Sequence, residues 1–322
     1  MTQLTPEQFR ELVSYAILAP SSHNTQCWKF RLEDQVIAIL PDLSRRCPVV
    51  DPDDHHLYVS LGCAAENLIQ AAPAQGLSAR YHFDPSGDGA VRIEFIPAEK
   101  RATPLFEAIS RRQCTRAEYD GSPISSAEIH RLEKAGTGDG VRVLMLTAPA
   151  AIETVLDYVV RGNTAQLNNP AFIKELKSWI RFNHREAAHT GDGLSGQATG
   201  NPSIPRWLGT LLFNLLLRVQ PENKKIARYI RSSAGIAVFV SDQDDRPHWV
   251  EAGRCYERFA LQATALNIRN AFINQPVEEA SLRPRFAKAL GLAFGRPDLV
   301  VRFGRGGEMP RSLRRPVGAV IV

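Results

Sequence analysis

Leu57-Tyr58-Val59-Ser60-Leu61-Gly62-Cys63-Ala64-Ala65-Glu66-Asn67-Leu68-Ile69-Gln70-Ala71-Ala72-Pro73-Ala74-Gln75 is apolar nearly all round a helical wheel, with small residues at Gly62, Ala64, Ala65, Ala71 and Ala72 and few charges apart from Glu66. A helix without a polar face is a buried helix. The same pattern returns 191 residues later, where Gly253, Arg254, Glu257 and Ile268 stand as Gly62, Cys63, Glu66 and Leu77 do. In both places a long helix gives way to a residue pair, Gly76-Leu77 or Asn267-Ile268, and then to a strand. Self-similarity of this kind points to an internal repeat, which decides the fold before any local reading does.

Outward from this helix the chain reads as two runs. Thr5 to Leu18 is a predicted helix, with Thr5 and Gln8 forming a capping box, Pro6 in the first turn and Phe9, Leu12, Val13 and Ala16 as its apolar stripe. A polar loop follows, then a hairpin over Trp28–Leu32 and Gln35–Leu40, the buried helix, and a strand over Val91–Ile96. The pattern restarts at Ser125–Lys134, with a second capping box of Ser125 and Glu128. Strands are expected at Val141–Leu146, Ala234–Val240, Ile268–Ile273 and Leu299–Phe303, and helices at Ile152–Val160, Ile173–Phe182 and Trp249–Leu266. The segment Asn183–Lys225 interrupts the pattern with Gly191, Gly193, Gly196, Gly200, Pro202 and Pro205, then an apolar helix near Trp207–Leu217. A long excursion inside a domain is often a lid over a site, and its apolar face of Trp207, Leu208, Leu211, Leu212 and Phe213 needs a surface to cover.

Composition excludes several classes. With 44% hydrophobic and 23% charged residues the chain is an ordinary globular protein. No apolar run reaches the roughly 18 residues of a membrane span, and the N-terminus shows no basic and apolar signal segment, so a cytoplasmic location is expected. Five cysteines, Cys27, Cys47, Cys63, Cys114 and Cys255, include no CxxC pair and read as reduced thiols. A net charge of +5, much of it within Arg296–Arg315, is too mild for nucleic-acid binding without a known module. His184 and His189 are five apart and do not make HExxH, and the adjacent residues Asp53, Asp54, His55 and His56 are not expected to converge on one metal, so no metal site is expected.

Three clusters carry chemistry. Pro20-Ser21-Ser22-His23-Asn24-Thr25-Gln26 offers hydroxyls and amides that can hydrogen-bond a polar ring edge. Arg111-Arg112-Gln113-Cys114-Thr115-Arg116 suits a phosphate, because guanidinium forks bind its oxygens bidentately. Arg311, Arg314 and Arg315 punctuate a proline-stiffened tail, Met309–Pro316.

Together, the loop APSSHNTQCW, the motif RRQCTR and the C-terminal RRP resemble the nitroreductase family, and most closely its single-chain Acg-type FMN-binding branch. Phe272–Glu278 (FINQPVE), Asp192-Gly193-Leu194 and Pro297–Gly304 extend the resemblance to residues 5–317. Cys27 departs from the family's proline and Gln113 from a common serine. The resemblance implies an α+β fold of the FMN-dependent nitroreductase kind. In it a central, mostly antiparallel sheet is flanked by helices and two related halves form a pseudo-dimer: residues 1–100 with the flavin-ring loop, and residues 101–322 with the phosphate site and a lid at about 183–225. It implies FMN held by Pro20, Ser21, Ser22, His23, Asn24, Gln26, Arg111, Arg112, Gln113, Thr115, Asn274, Gln275, Arg314 and Arg315. NAD(P)H is the implied electron donor, and a nitro, quinone or similar small molecule the acceptor. Flavin chemistry needs no protein nucleophile, and His23 is the one candidate proton donor in the motif. The competing expectation is a protein that sequesters FMN under a closed lid without turnover. The chain is expected to act as a monomeric pseudo-dimer or a homodimer.

Overall fold

The computed structural model describes residues 4–200 and 202–322. Residues 1–3, where the reading of the N-terminus begins, and Asn201 of the expected lid lie outside the described residues. The first run holds helix α1 (Pro6–Ala16), strands β1 (Trp28–Glu33) and β2 (Val36–Pro41), helix α2 (His55–Ala71), and strands β3 (Leu77–Asp84) and β4 (Ala90–Pro97). A short helix α3 (Pro104–Ile109) leads to the second run. This run opens with α4 (Ser126–Gly136) and β5 (Val141–Leu146). It continues through α5 (Pro149–Leu167), α6 (Pro170–Trp179) and β6 (Ile180–Arg181), and then through the excursion, with α7 (His184–Thr190), β7 (Leu194–Ser195), α8 (Arg206–Leu216) and the first half of α9 (Val219–Arg231). It closes with β8 (Gly235–Ser241), α10 (Arg246–Ala265), β9 (Arg269–Phe272), the short α11 (Gln275–Glu278) and α12 (Arg283–Ala289), and β10 (Arg296–Gly304).

The antiparallel strands divide into two sheets of four, one for each run. Their orders are β1-β2-β4-β3 and β5-β8-β10-β9. Every pairing within both is antiparallel. In each sheet the buried helix follows the second strand of the chain and leads to an edge strand, so the two runs share one connectivity. Both capping boxes form: Thr5 and Gln8 exchange bonds of 3.1 Å, and Ser125 and Glu128 do the same at the head of α4.

α2 and α10 cross at the centre of the molecule. A Cβ added to Gly62 would lie 2.0 Å from the Val250 carbonyl oxygen, and one added to Gly253 would lie 2.0 Å from that of Val59. Val59 and Val250 are themselves 191 residues apart, so the contact is reciprocal, as across a two-fold axis. Both helices are buried over most of their length. The largest core joins them to one face of each sheet, through Phe30, Ile39, Phe95, Phe239, Val301 and Phe303 among others. The second sheet is covered on its other face too, where Ile236, Val238 and Val240 meet Val155 and Val159 of α5 and Ile230 of α9. All seven residues of β8 are therefore buried, and its sequence, GIAVFVS, carries no polar alternation.

The chain's end returns to the first half. The Phe30 amide donates to the Val320 carbonyl at 2.8 Å and that of Val322 to the Phe30 carbonyl at 3.0 Å, so the tail runs along β1. This carries Arg311–Arg315 past the loop that precedes β1. The expected helix Ile173–Phe182 begins earlier, at Pro170, because Asn169 caps it and proline suits its first turn. The helix α9 was not anticipated; seven of its thirteen residues are charged or amide side chains and hide its apolar stripe. The apolar face expected on α8 is only half covered. Leu212 and Phe213 turn inward, Phe213 against Phe182 at 6.4 Å between ring centroids, whereas Trp207, Leu211, Leu215 and Leu216 are exposed. Among the described residues no helix is long and apolar enough to cross a membrane.

The crossing generates a test. Replacing Gly62 by Ala drives a methyl group into a carbonyl oxygen that neither helix can move without shifting the core, and overpacking of this kind costs about 1–3 kcal/mol or more. Gly62→Ala and Gly253→Ala should lower the urea midpoint by similar amounts, while Gly307→Ala, at a site where an added Cβ meets no atom within 4 Å, should lower it less.

Candidate functional site: a cleft between the polar loop and the arginine cluster

Three residues of the loop before β1 have positive φ: His23 (48°), Asn24 (55°) and Gln26 (53°). Bulkier side chains rarely adopt such angles, and the loop holds them with its own side chains. Ser21 Oγ accepts from the Gln26 amide at 2.8 Å. Asn24 Nδ2 donates to the Gly193 and Leu313 carbonyls at 3.1 Å each. Gln26 Nε2 donates to the Gly191 carbonyl at 2.8 Å while its Oε1 accepts from the Arg315 amide at 2.8 Å. The loop is thus tied both to the C-terminal tail and to the base of the excursion. Asp192, between the two glycines, pairs with Arg181 at 2.6 Å and with Arg45.

Beside the loop is a cleft of ≈ 290 Å³. Pro20, Ser21, Ser22 and His23 form one wall, and Asn274, Gln275 and Glu278 another. Val59, Ser60 and Cys63 of α2 form its floor, and Leu194, Leu217 and Glu222 reach it from the excursion. A smaller cavity of ≈ 80 Å³ is lined by Ser110, Arg112, Gln113, Arg116, Arg311 and Arg314, with Asn24 at its edge. Pro20, Ser21, Arg116 and Phe272 line both, so the two are neighbouring parts of one site.

Of the residues expected from the sequence, Pro20, Ser21, Ser22, His23, Asn274 and Gln275 meet at the larger cavity, and Asn24, Arg112, Gln113 and Arg314 at the smaller. Arg111 is not brought there: it lies in the turn after α3, is exposed and lines neither cavity. Thr115 is fully buried behind the site, with its amide on the Asn270 carbonyl at 2.8 Å. Gln26 and Arg315 hold the loop and the tail together and line neither cavity. Arg116, Glu278 and His56 belong to the site but were not assigned to it. Arg116 was legible as the third arginine of its motif; Glu278 was visible only as the last residue of FINQPVE.

The arginines differ in what balances them. Arg112 is buried and paired with the buried Glu257 at 3.1 Å. Burial pushes the Glu257 carboxyl up to about 7 in spite of that partner. Arg314 has no carboxylate partner among the described residues. It donates to the Ile17, Leu18 and Ala19 carbonyls and to Asn24 Oδ1, and burial together with the facing charge of Arg112 brings it down to about 9. Arg116 forms no ion pair among the described residues. Gln113 Oε1 and Gln275 Oε1 are buried and unpartnered, one at each cavity. Uncompensated positive charge around the smaller cavity and orphaned polar atoms at both ends fit a ligand with an anionic end and a polar, flat end.

Behind the cleft, the adjacent histidines do converge, contrary to the reading of their spacing. At the head of α2 their Nδ1 atoms stand 3.3 Å apart. Asp51, His55 and His56 bring ligand-type atoms within 4.8 Å of one another, while Asp53 and Asp54 turn away to Arg296 and Arg46. The cluster is already hydrogen-bonded. Asp51 accepts from the His56 and Leu57 amides at 2.9 Å, His55 Nε2 meets Asp298 at 3.0 Å, and His56 Nε2 meets Asn274 at 3.4 Å. Burial opposes charge on His56, but Asp51, with Glu278 beyond it, outweighs burial and raises it. Burial and the neighbouring His56 hold His55 well below its usual value. His23, in the cleft wall with Nδ1 3.5 Å from Cys47 Sγ, is lowered to about 4 by burial and then by Arg116 and His56.

Three comparisons bear on this site. A family model described as "Putative TM nitroreductase" matches residues 1–79, the stretch holding the polar loop and α2. Two proteins of Mycobacterium tuberculosis are similar over nearly the whole chain. "Putative NAD(P)H nitroreductase Rv3131" is 24% identical, across 98% of this chain and 91% of the relative. "Putative NAD(P)H nitroreductase acg" is 21% identical, across 99% and 96%. A solved nitroreductase with bound FMN from Desulfitobacterium hafniense shares 13% identity over 69% of this chain and 98% of its own, at a TM-score of 0.42, too low to bear on the fold. By sequence, the chain is similar over nearly its whole length to these two mycobacterial relatives.

His23 gives the site a pH signature. Its folded value lies below the 6.5 of a free imidazole, so it is neutral in the fold while the unfolded chain takes up a proton. Its contribution is constant above pH 6.5 and turns against folding as pH falls from 6.5 toward 4. Urea midpoints measured at pH 7.5 and pH 5 should therefore fall less in His23→Gln than in the parent. Asp298, raised by burial to about 6, and Glu257 titrate nearby in the opposite sense, so the difference between the two proteins is the quantity to read.

Proposed function

We propose that this chain is an FMN-dependent oxidoreductase that takes electrons from NAD(P)H and reduces a nitro, quinone or similar small acceptor in the cytoplasm. The observation that supports this most directly is Arg314, a half-buried guanidinium with no carboxylate partner among the described residues. It shares a cavity with Arg112 and Arg116, and that cavity adjoins the cleft walled by the polar loop. In this reading Arg314 and Arg116 hold the terminal phosphate, with Arg112 balanced by Glu257 in support. The loop residues Ser21 to His23, with Asn274 and Gln275, hydrogen-bond the edges of the ring. The mycobacterial relatives carry the name of the same activity.

FMN, when bound, supplies hydride acceptance and one- or two-electron transfer. The protein's own groups do the rest. The arginine cluster would fix the phosphate end of the ligand, and the cleft beside α2 would receive the ring. Val59 and Cys63 form an apolar floor, and Leu194 and Leu217 limit water above it. The net reaction for a quinone consumes NAD(P)H and one proton and gives the hydroquinone and NAD(P)⁺. The two runs of the fold, residues 1–100 and 101–322, are read as duplicated halves. The first contributes the loop and the second the arginines, with the excursion at 183–225 as a lid and the monomer as the working unit.

The excursion also favours a second reading, in which the cleft stores FMN. Its base is bonded to the loop through Gly191 and Gly193, so cover over the cleft is held in place. Rapid mixing of the yellow holoprotein with NADPH separates the two. Bleaching of the flavin within seconds supports the enzyme, and an unchanged spectrum over minutes supports storage.

The phosphate assignment has its own test. Charge-assisted bonds to a phosphate contribute about 1.5–3 kcal/mol each, or roughly tenfold and more in affinity. FMN titrated into the apoprotein should bind at one per chain. Arg314→Ala and Arg116→Ala should each weaken it at least tenfold, and Arg111→Ala should leave it unchanged. Tight binding of FAD in place of FMN, or equal affinity in all three variants, would remove the arginine cluster from the site.

A further inference from the structure

A second chamber lies under α8, outside the cleft. Its volume is ≈ 330 Å³, within the range of small-molecule sites. Phe182, Ile204, Leu212, Phe213, Leu216 and Leu217 form most of its wall. Gly209 lets α8 lie close on its floor, since a Cβ there would come within 2.3 Å of the Phe182 ring. The charged groups at its margin are matched: Arg181 is bonded to Asp192 at 2.6 Å, and Glu222 faces Lys225 at 3.9 Å. The chamber is not isolated. Leu194, Leu217 and Glu222 line both it and the cleft, so the two adjoin, with two leucines and one carboxylate between them.

We propose that this chamber is a binding subsite for the hydrophobic chain of a lipophilic electron acceptor, of the alkyl-substituted quinone class, whose ring reaches the cleft past Leu217. The inference rests on the oxidoreductase reading and narrows its substrate class. A cleft without a side chamber would take the ring alone and leave any chain in water. Here the wall offers no unpaired charge and no row of hydrogen-bond donors to a polar substituent, whereas each methylene buried against it strengthens binding by roughly threefold to fourfold. The redox balance is unchanged: two electrons and a proton pass as hydride equivalents from NAD(P)H, one further proton comes from solvent, and the quinone leaves as the hydroquinone.

The test compares a benzoquinone bearing a ten-carbon alkyl chain with the same ring lacking it. Binding to the FMN-loaded protein and to the FMN-free protein is followed by quenching of tryptophan fluorescence, and turnover by NADPH oxidation. In the parent protein the alkylated compound should bind at least tenfold more tightly and show a correspondingly lower KM. Leu212→Trp, which fills the chamber, should bring the two compounds within about twofold while leaving the constants for the bare ring unchanged. Ile204→Phe fills it from the opposite wall and should do the same if the first variant fails to fold. Equal binding of the two compounds by the parent, or a chain preference that survives both fillings, overturns the subsite and leaves the oxidoreductase reading standing. A chain preference without NADPH oxidation does the reverse: it removes that reading and keeps a lipophilic ligand in the chamber.

Discussion

The crossing of α2 and α10 is the constraint on which the rest of the molecule depends. Two helices can approach this closely only where neither carries a side chain at the contact, and glycine occurs at both places, Gly62 and Gly253. Because the contact is reciprocal, it sets the position of both sheets at once: each packs one face on the helix of its own run, and the two helices pack on each other. The floor of the cleft, Val59 to Cys63, is a stretch of the same crossing helix. A disturbance at the crossing would thus reach the site within one helical turn.

Charge is distributed around the site with a similar economy. Glu66 and Glu257, equivalent across the repeat, are both buried, and each is met by arginine: Glu66 by Arg254 and Arg258 at 3.2 and 3.0 Å, Glu257 by Arg112 at 3.1 Å. The first pair of contacts ties α2 to α10, and the second ties α10 to the arginine motif. Breaking a buried pair leaves an uncompensated charge and is costly, so Arg112 supports the fold whatever it does for a ligand. Arg314 and Arg116 have no such obligation. Within the motif, then, Arg112 is balanced by a buried carboxylate and Arg116 is not, a difference invisible in the letters RRQCTR.

Much of the architecture was legible in the sequence because it is local or periodic. The capping boxes at Thr5 and Ser125, the apolar wheel of α2 and the uniformly apolar β8 each follow from a few neighbouring residues. The 191-residue offset related Gly62 to Gly253, which do meet at the crossing, although it could not show that the strands form two sheets with one connectivity. The site was legible in part. Loop residues Pro20 to His23 line the cleft, where a polar loop between a helix and a hairpin can place its side chains. Arg111 does not line it: it lies in the turn after α3 and faces solvent while Arg112 turns inward to Glu257, and sequence adjacency carries no facing. The histidines at 55 and 56 were misjudged for the converse reason: at a helix start, adjacent imidazoles can turn toward each other when a carboxylate such as Asp298 draws one ring and an amide such as Asn274 the other.

The reciprocal crossing lies within a single polypeptide. Where such a contact joins separate subunits, its occupancy falls on dilution, and a cavity assembled across it empties with it. Here the two partners are covalently tethered, so their effective concentration is fixed by the connecting chain and not by how much protein is present. Tethering also frees the two equivalent surfaces from having to remain identical. The residues around the loop can then differ from those at the matching place in the other run, an asymmetry that a pair of identical subunits has no means to inherit.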